Sequence, residues 1–318
     1  MEKIDAIPEC KRVIQEKKER LLQVIQEQKI KIIENAPMSR YTSFKAGGCA
    51  ELLVIVENEL QLKTVLQAVA EENIPSMLLG NGSNTLFRDT GYTGVVIKLG
   101  EGFEKIDKKG EIICAGAAAL LSAVAREALR SDLTGMEFAS GIPGSLGGAV
   151  FMNAGAYGGE MRDILRSVKV ISKDGLHERV LSVEELELAY RHSVLEETGD
   201  IVVSAEIELK KGDHDEIAAQ MKALADKRNS KQPVNYPSAG STFKRPDGYF
   251  AGKLVEDAGL KGISVGGAQV SVLHSGFIIN TGKATATDIL DLITLVQNTV
   301  YDKFGVSLEP EVRIIGSL

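Results

Sequence analysis

The chain has 318 residues, 44% of them hydrophobic and 25% charged, with 32 glycines and a formal net charge of −7. That length has room for two or three domains, and the composition is that of a soluble globular protein. The negative balance excludes a general attraction to nucleic acid or anionic membrane, so any anion site must be built locally. No apolar run approaches the roughly 18 residues of a membrane helix, and the polar first residues lack a signal-peptide core. Cys10, Cys49 and Cys114 are odd in number and widely spaced, and His177, His192, His214 and His274 show no ligand spacing. Neither a disulfide framework nor a metal site is expected, and a reduced cytoplasmic protein is the default.

Residues 1–38 are charged and helical in pattern. Ile14, Leu21, Leu22 and Ile25 share one face, with Lys17, Lys18 and Arg20 around the other. Glu16 and Glu19 offset the basic charge, so packing on its own domain or a neighbour is expected over membrane contact. From 41 to 210 strands and helices alternate. Strands are expected at 51–56, 77–80, 95–99 and 111–114, with helices at 59–72 and 118–129; Leu62, Val65, Leu66 and Val69 face inward on the first. Residues 168–172 and 176–181 read as a hairpin around Asp174-Gly175. Ser182-x-x-Glu185 reads as the capping box of a short helix, and 201–209 as a closing strand. Beyond 211 come a helix at 215–228, an irregular segment at 232–248, helices at 250–258 and 287–304, and a strand at 312–315. The pattern predicts an α+β fold with a mixed sheet: a helical extension at 1–38, a first domain at 39–210 and a smaller one at 211–318.

Residues 140–159 carry seven glycines and almost no charge. Such a run does not predict an ordinary amphipathic helix, since glycine costs backbone entropy and packs nothing. It does let backbone N–H groups approach an anionic ligand closely. A second loop of the same character, Gly80-Asn81-Gly82-Ser83-Asn84, follows an expected strand, and two such loops suit an extended dinucleotide.

Other motifs fail. Gly80-x-Gly82-x-x-Thr85 lacks the third glycine of the Rossmann fingerprint, and no P-loop sequence exists. Gly262-Ile263-Ser264-Val265-Gly266 matches a nucleophile elbow in letters only. A strand-like segment follows it, and His274 precedes the first downstream aspartate, Asp288, so a serine hydrolase is excluded. Three polar segments remain: Tyr190-Arg191-His192-Ser193, residues 239–246, and Glu309-Pro310-Glu311-Val312-Arg313. Charges in a strand that otherwise reads as buried are costly unless paired or functional.

Taken in order, Tyr41-Thr-Ser-Phe-Lys-Ala-Gly-Gly48, Gly80 to Asn84, Gly141-Ile-Pro-Gly-Ser-Leu-Gly-Gly148, Asn153-Ala-Gly-Ala-Tyr-Gly158, Tyr190-Arg191, Gly240-Ser-Thr-Phe-Lys-Arg-Pro246 and Leu308-Glu-Pro-Glu311 carry a resemblance. The chain resembles the UDP-N-acetylenolpyruvoylglucosamine reductase (MurB) family, all but its first forty residues being covered. Ser-Thr-Phe-Lys-Arg-Pro, where type I members have an asparagine after the lysine, makes it similar to type II.

The resemblance implies an FAD-binding domain of the vanillyl-alcohol-oxidase (PCMH) type and a smaller α+β substrate-binding domain. It implies non-covalent FAD held by Gly80, Asn81, Gly82, Ser83, Asn84, Ser140, Gly141, Ile142, Pro143, Gly144, Gly147, Gly148, Asn153 and Gly155. NADPH is the implied co-substrate and a UDP-sugar the partner, with a monomer as the default assembly. Arg191 matches the arginine facing the substrate carboxylate, Glu311 a glutamate polarising the same group, and Ser241 the proton donor. Tyr190, Lys231, Lys244 and Arg245 are implied in substrate binding, with Lys261 a further candidate for the UDP diphosphate. A flavoenzyme of the same fold with another substrate would lack the combination of Tyr190-Arg191, Gly240-Ser241 and Glu309-Pro310-Glu311.

Overall fold

The computed structural model describes residues 9–317. Helix α1 (Glu9–Glu27) is followed by strands β1 (Lys31–Pro37) and β2 (Cys49–Val56), helix α2 (Glu59–Glu71), and strands β3 (Ser76–Leu78), β4 (Thr85–Phe87) and β5 (Tyr92–Leu99). The first sheet runs β1-β2-β5-β3, with β5 parallel to both its neighbours and β1 antiparallel at the edge. Leu21 and Ile25 of α1 are buried, while Lys17 donates to the Glu72 carbonyl at 2.8 Å and Lys18 meets Glu51 at 3.1 Å. The amphipathic helix therefore packs within its own domain, chiefly against α2. The helical pattern expected over 1–38 stops at Glu27: Lys29 adopts φ +53 and residues 31–37 form a sheet edge. Ile14 lies where side chains are outside the described residues.

A second layer follows: β6 (Ile106–Lys109), β7 (Ile112–Gly116), α3 (Leu121–Arg130), β8 (Leu133–Thr134), α4 (Leu146–Phe151), β9 (Gly155–Ala156), β10 (Gly159–Glu160), β11 (Leu165–Ile171), β12 (Glu178–Ser182), α5 (Leu195–Thr198), β13 (Ile201–Glu208) and β14 (Lys210–Lys211). Its sheet runs β12-β11-β13-β7-β6, antiparallel throughout, and shares one apolar core with the first sheet. The Asp174-Gly175 hairpin forms as expected, with Gly175 at φ +74. Ser182 and Glu185 make the reciprocal capping contacts, yet no helix follows. Glu187 takes a left-handed φ of +48 and the chain turns back to bury Leu186 and Leu188.

The third part comprises α6 (His214–Lys231), α7 (Ala251–Asp257), β15 (Ser264–Val265), β16 (Ala268–Val270), β17 (Ile278–Asn280), α8 (Ala286–Phe304) and β18 (Arg313–Ile315). Helix α6 starts at an Asp213 cap and packs on α3 and β8. The remaining elements surround a separate core, into which Phe44, Ala46 and Leu86 of the first part also reach. Two ties fix this unit beside the glycine loops. Asp89 accepts from the first amides of α8, Ala286 at 2.9 Å and Thr287 at 2.8 Å, completing the orphan donors of a helix start. Burial pushes the Asp89 carboxyl up, but those hydrogen bonds outweigh it and hold it below its usual range. Strand β18 returns to pair in parallel with β4, so that the residues entering it, Glu311 and Arg313, lie beside Asn84 in the loop before β4.

Candidate active site

The two glycine loops meet. Asn81 Nδ2 donates to the Pro143 carbonyl at 2.7 Å, and a Cβ on Gly80 would come within 2.8 Å of Ser145 Oγ. The run at 140–159 is more ordered than its composition suggests. Ser140 Oγ donates to the Glu137 carbonyl at 2.8 Å, Ile142 N–H to Ala139, and the Gly144 and Ala119 carbonyls accept from Leu121 and Leu146. Helix α4 forms within the run, contrary to the sequence expectation, because Leu146, Ala149 and Val150 bury against the core. Further on, Tyr157 (φ +55) and Gly158 (φ +93) turn the β9–β10 hairpin, a geometry that favours residues tolerating left-handed backbone.

The glycines divide into two kinds. Gly82 lies against the Tyr41 carbonyl with φ +65, and a Cβ on Gly147 would sit 2.9 Å from Ala117 Cβ. Those two are demanded by the protein's own packing. A Cβ on the buried Gly144, 3.8 Å from its nearest neighbours, or on the exposed Gly148, 3.5 Å from Ser145 Oγ, would instead make only ordinary van der Waals contact. Gly141 has only the flexible Arg228 side chain nearby, at 3.2 Å. Gly141 and Gly148, both exposed, thus present backbone without a side chain, suited to a ligand that must touch backbone.

The charged constellation assembles from three distant segments. Ala189 and His192 exchange backbone hydrogen bonds at 3.2 Å each, so Tyr190 and Arg191 are the centre of a tight turn. Arg191 has φ +56, a conformation that costs a non-glycine residue about 1–2 kcal/mol. Asn153, fully buried, pins this turn: its Nδ2 donates to the Ala189 carbonyl at 3.0 Å and its Oδ1 accepts from Arg162 N–H at 2.9 Å. Its side-chain amide is thereby committed to protein partners. Arg191 Nε donates to Glu311 Oε1 at 2.6 Å, and an Nη reaches the Gly155 carbonyl at 3.5 Å.

Glu311 is held by its backbone as well. Its N–H donates to the Thr242 carbonyl at 2.8 Å and its own carbonyl accepts from Asn84 Nδ2 at 3.0 Å. Thr242, buried, donates in turn to Gly276. The exposed Ser241 therefore sits next to a strand-like pair with Glu311, after Gly240 at φ +77. The Tyr190 hydroxyl accepts from Arg245 N–H at 3.2 Å, closing the circle between the two loops. Burial pushes the Glu311 carboxyl up and the Arg191 guanidinium pulls it back only in part, leaving it raised.

The other implied residues are dispersed. Lys244 pairs with Glu309 at 2.5 Å, Arg245 covers the Phe250 ring at 4.0 Å, Lys261 pairs with Glu256 at 3.1 Å, and Lys231 ends α6, exposed. Sequence reading missed Arg228, whose guanidinium is largely desolvated beside Gly141, with burial lowering its pKa and Tyr157 raising it. Its only signal was an arginine one turn before Lys231.

Residues 232–315 match the family model for the UDP-N-acetylenolpyruvoylglucosamine reductase C-terminal domain, and residues 50–180 the model for an FAD binding domain. A UDP-N-acetylenolpyruvoylglucosamine reductase of Clostridioides difficile is 50% identical over 93% of this chain and 96% of its own. The chain belongs to the UDP-N-acetylenolpyruvoylglucosamine reductase family. A Clostridium novyi member is 53% identical over 91% of this chain and 93% of its own. The crystal structure of the Thermus caldophilus UDP-N-acetylenolpyruvylglucosamine reductase superposes with a TM-score of 0.78 at 37% identity. It covers 90% of this chain and 99% of that one. The fold is accordingly α+β, an FAD-binding domain with a smaller α+β unit. Among the described residues no helix is long and apolar enough to cross a membrane.

Proposed function

We propose that the protein is an NADPH-dependent flavoenzyme that reduces the enolpyruvyl ether of UDP-N-acetylglucosamine to UDP-N-acetylmuramate, supplying peptidoglycan precursor in the cytoplasm. The observation that carries the reading is the Arg191–Glu311 pair, set beside Ser241 and tied to both glycine loops. The residues fit FAD: backbone without a side chain at the exposed Gly141 and Gly148 and a desolvated arginine suit a flat ligand with a pyrophosphate. Bound FAD, reduced by NADPH, supplies hydride to the terminal alkene carbon.

Hydride addition leaves negative charge on the carbon beside the substrate carboxylate, which delocalises into that group. Arg191 is fixed by a strained turn and a buried asparagine, so its planar fork is preorganised for a carboxylate. With its present partner Glu311, one guanidinium would then face two carboxylates. Burial shifts the Glu311 carboxyl in the direction that eases this conflict, toward a protonated form that can donate a hydrogen bond to the substrate carboxylate instead of repelling it. Ser241 Oγ–H delivers its proton to the charged carbon, completing addition across the double bond, and solvent returns a proton to the exposed hydroxyl. Tyr190 and Arg245, joined by a hydrogen bond, and the adjoining Lys244 hold the sugar nucleotide in this reading, with Lys231 and Lys261 the candidates for its diphosphate.

Incubation with NADPH and UDP-N-acetylenolpyruvoylglucosamine tests this. The product should be UDP-N-acetylmuramate, heavier than substrate by a pair of hydrogen atoms. NADPH consumption without that mass change would overturn it.

A further inference from the structure

Lysine 98 stands on β5, the strand between β2 and β3, inside the otherwise apolar run Val95-Val96-Ile97-Lys98-Leu99. Its neighbours Ile97 and Leu99 are buried, and Lys98 itself is half-buried, enough for desolvation to lower its pKa. An interior strand of a parallel sheet is an expensive place for an ammonium group. Its Nζ donates to the Gly80 carbonyl at 3.0 Å, the first residue of the loop that Asn81 ties to Pro143. An ammonium carries three donors, and no further acceptor for Lys98 exists among the described residues. No carboxylate lies within 4.0 Å of it there either, Glu104 acting only from a greater distance. The charge is thus half-buried under the cofactor loop with no carboxylate at ion-pair distance among the described residues. Both Lys98 and Gly80 lie at the carboxyl ends of parallel strands, where open α/β sheets place their ligands.

We propose that Lys98 is a cationic contact for the pyrophosphate of bound FAD, its missing counter-charge being the cofactor's. The inference rests on the reading that the 80–84 loop holds FAD. It assigns the loop a second device besides backbone amides: a lysine that steadies the Gly80 carbonyl with one N–H and presents positive charge with the others. Burial lowers the ammonium pKa in the free site, with Glu104 opposing, and a bound dianion raises it again. FAD affinity should therefore fall as the pH rises through the range in which the free site loses its proton.

The test is flavin release on dilution of the holoenzyme, followed by flavin fluorescence, for wild type, Lys98→Met and Lys98→Arg. Lys98→Met should raise the FAD Kd at least roughly tenfold at neutral pH, as expected for removing one partner of a buried charge pair. Wild type should weaken toward the variant at alkaline pH while Lys98→Met keeps only the slope of the flavin ring's own ionisation, which both proteins share. Lys98→Arg should stay within about threefold of wild type. The proposal is overturned if Lys98→Met binds within threefold of wild type with the same pH profile, or if Lys98→Arg is as weak as Lys98→Met. Should Lys98→Met not fold, the wild-type pH profile decides alone, a profile no steeper than that of free flavin ionisation counting against the proposal. A wild-type protein that holds no FAD would instead sink the reading of the loop itself.

Discussion

The cofactor side and the substrate side of the cleft solve binding by different means. Along 80–84 and 141–148 the protein removes side chains and offers backbone, with loops braced by Asn81 on Pro143 and by α4 on the core. At Arg191, Ser241 and Glu311 it offers side chains, gathered from segments 120 residues apart and held by a strained turn, a buried asparagine and an antiparallel contact. A backbone cradle can bind the same cofactor in both redox states, whereas positioned charges can favour one developing anion. The difference predicts that damage on one side shows as lost cofactor and damage on the other as a lost chemical step.

The largest expected effect is on the substrate side. Ser241→Ala should be reduced by NADPH at close to the normal rate, then reoxidise with the enolpyruvyl substrate slower by roughly 10²- to 10⁴-fold, the range for losing a general acid. Rapid-mixing absorbance separates the two steps. Normal reoxidation would remove Ser241 from the account, and failure to reduce would show that the two sides are not separable.

Next is Glu311. As its folded carboxyl lies above the unfolded value, it contributes stability below about pH 4.3 and loses that contribution as the pH rises through the folded pKa. The same sign applies to the oxidative step if the protonated form is the active one: its rate should decline with rising pH through that raised value. Glu311→Gln cannot ionise, so it should flatten that limb and cost about tenfold, the worth of one hydrogen bond to a charged group. An unchanged pH limb in the variant would assign the titration elsewhere.

The smallest effect sharpens the cofactor side. Gly147→Val must push against Ala117 and should lower the unfolding midpoint by several degrees, as a core overpacking of about 1–3 kcal/mol does. Gly148→Val meets only Ser145 Oγ, at an ordinary contact distance, and should keep the midpoint while losing FAD occupancy, read from the flavin-to-protein absorbance ratio. Equal behaviour of the two would mean that the glycines along 141–148 are only structural.

The same contrast explains what was legible in the sequence. Glycine density marks a place where side chains are absent, but not why. Gly82 and Gly147 serve internal packing, Gly144 and Gly148 leave room for a Cβ, and only coordinates tell them apart. Helices α2 and α8 were legible because the apolar periodicity of their sequences agrees with the faces they bury. Strand β1 was not, because its apolar residues extend the helical pattern past a turn set by Lys29. Arg191, Ser241 and Glu311 carry no local spacing that joins them, so resemblance and not periodicity pointed to them. Lys98 was not singled out in the sequence, because its place beneath the Gly80 carbonyl needed the sheet order.

The account rests on one protein passing electrons from NADPH to the enolpyruvyl sugar through a flavin it holds without a covalent bond. The direct measurement is the visible spectrum of the purified protein under anaerobic conditions. The account predicts a flavin spectrum that bleaches with NADPH, returns on adding UDP-N-acetylenolpyruvoylglucosamine, and passes wholly to the supernatant on acid denaturation. A protein that bleaches but does not recover with that substrate, or whose colour stays with the precipitated chain, would contradict it.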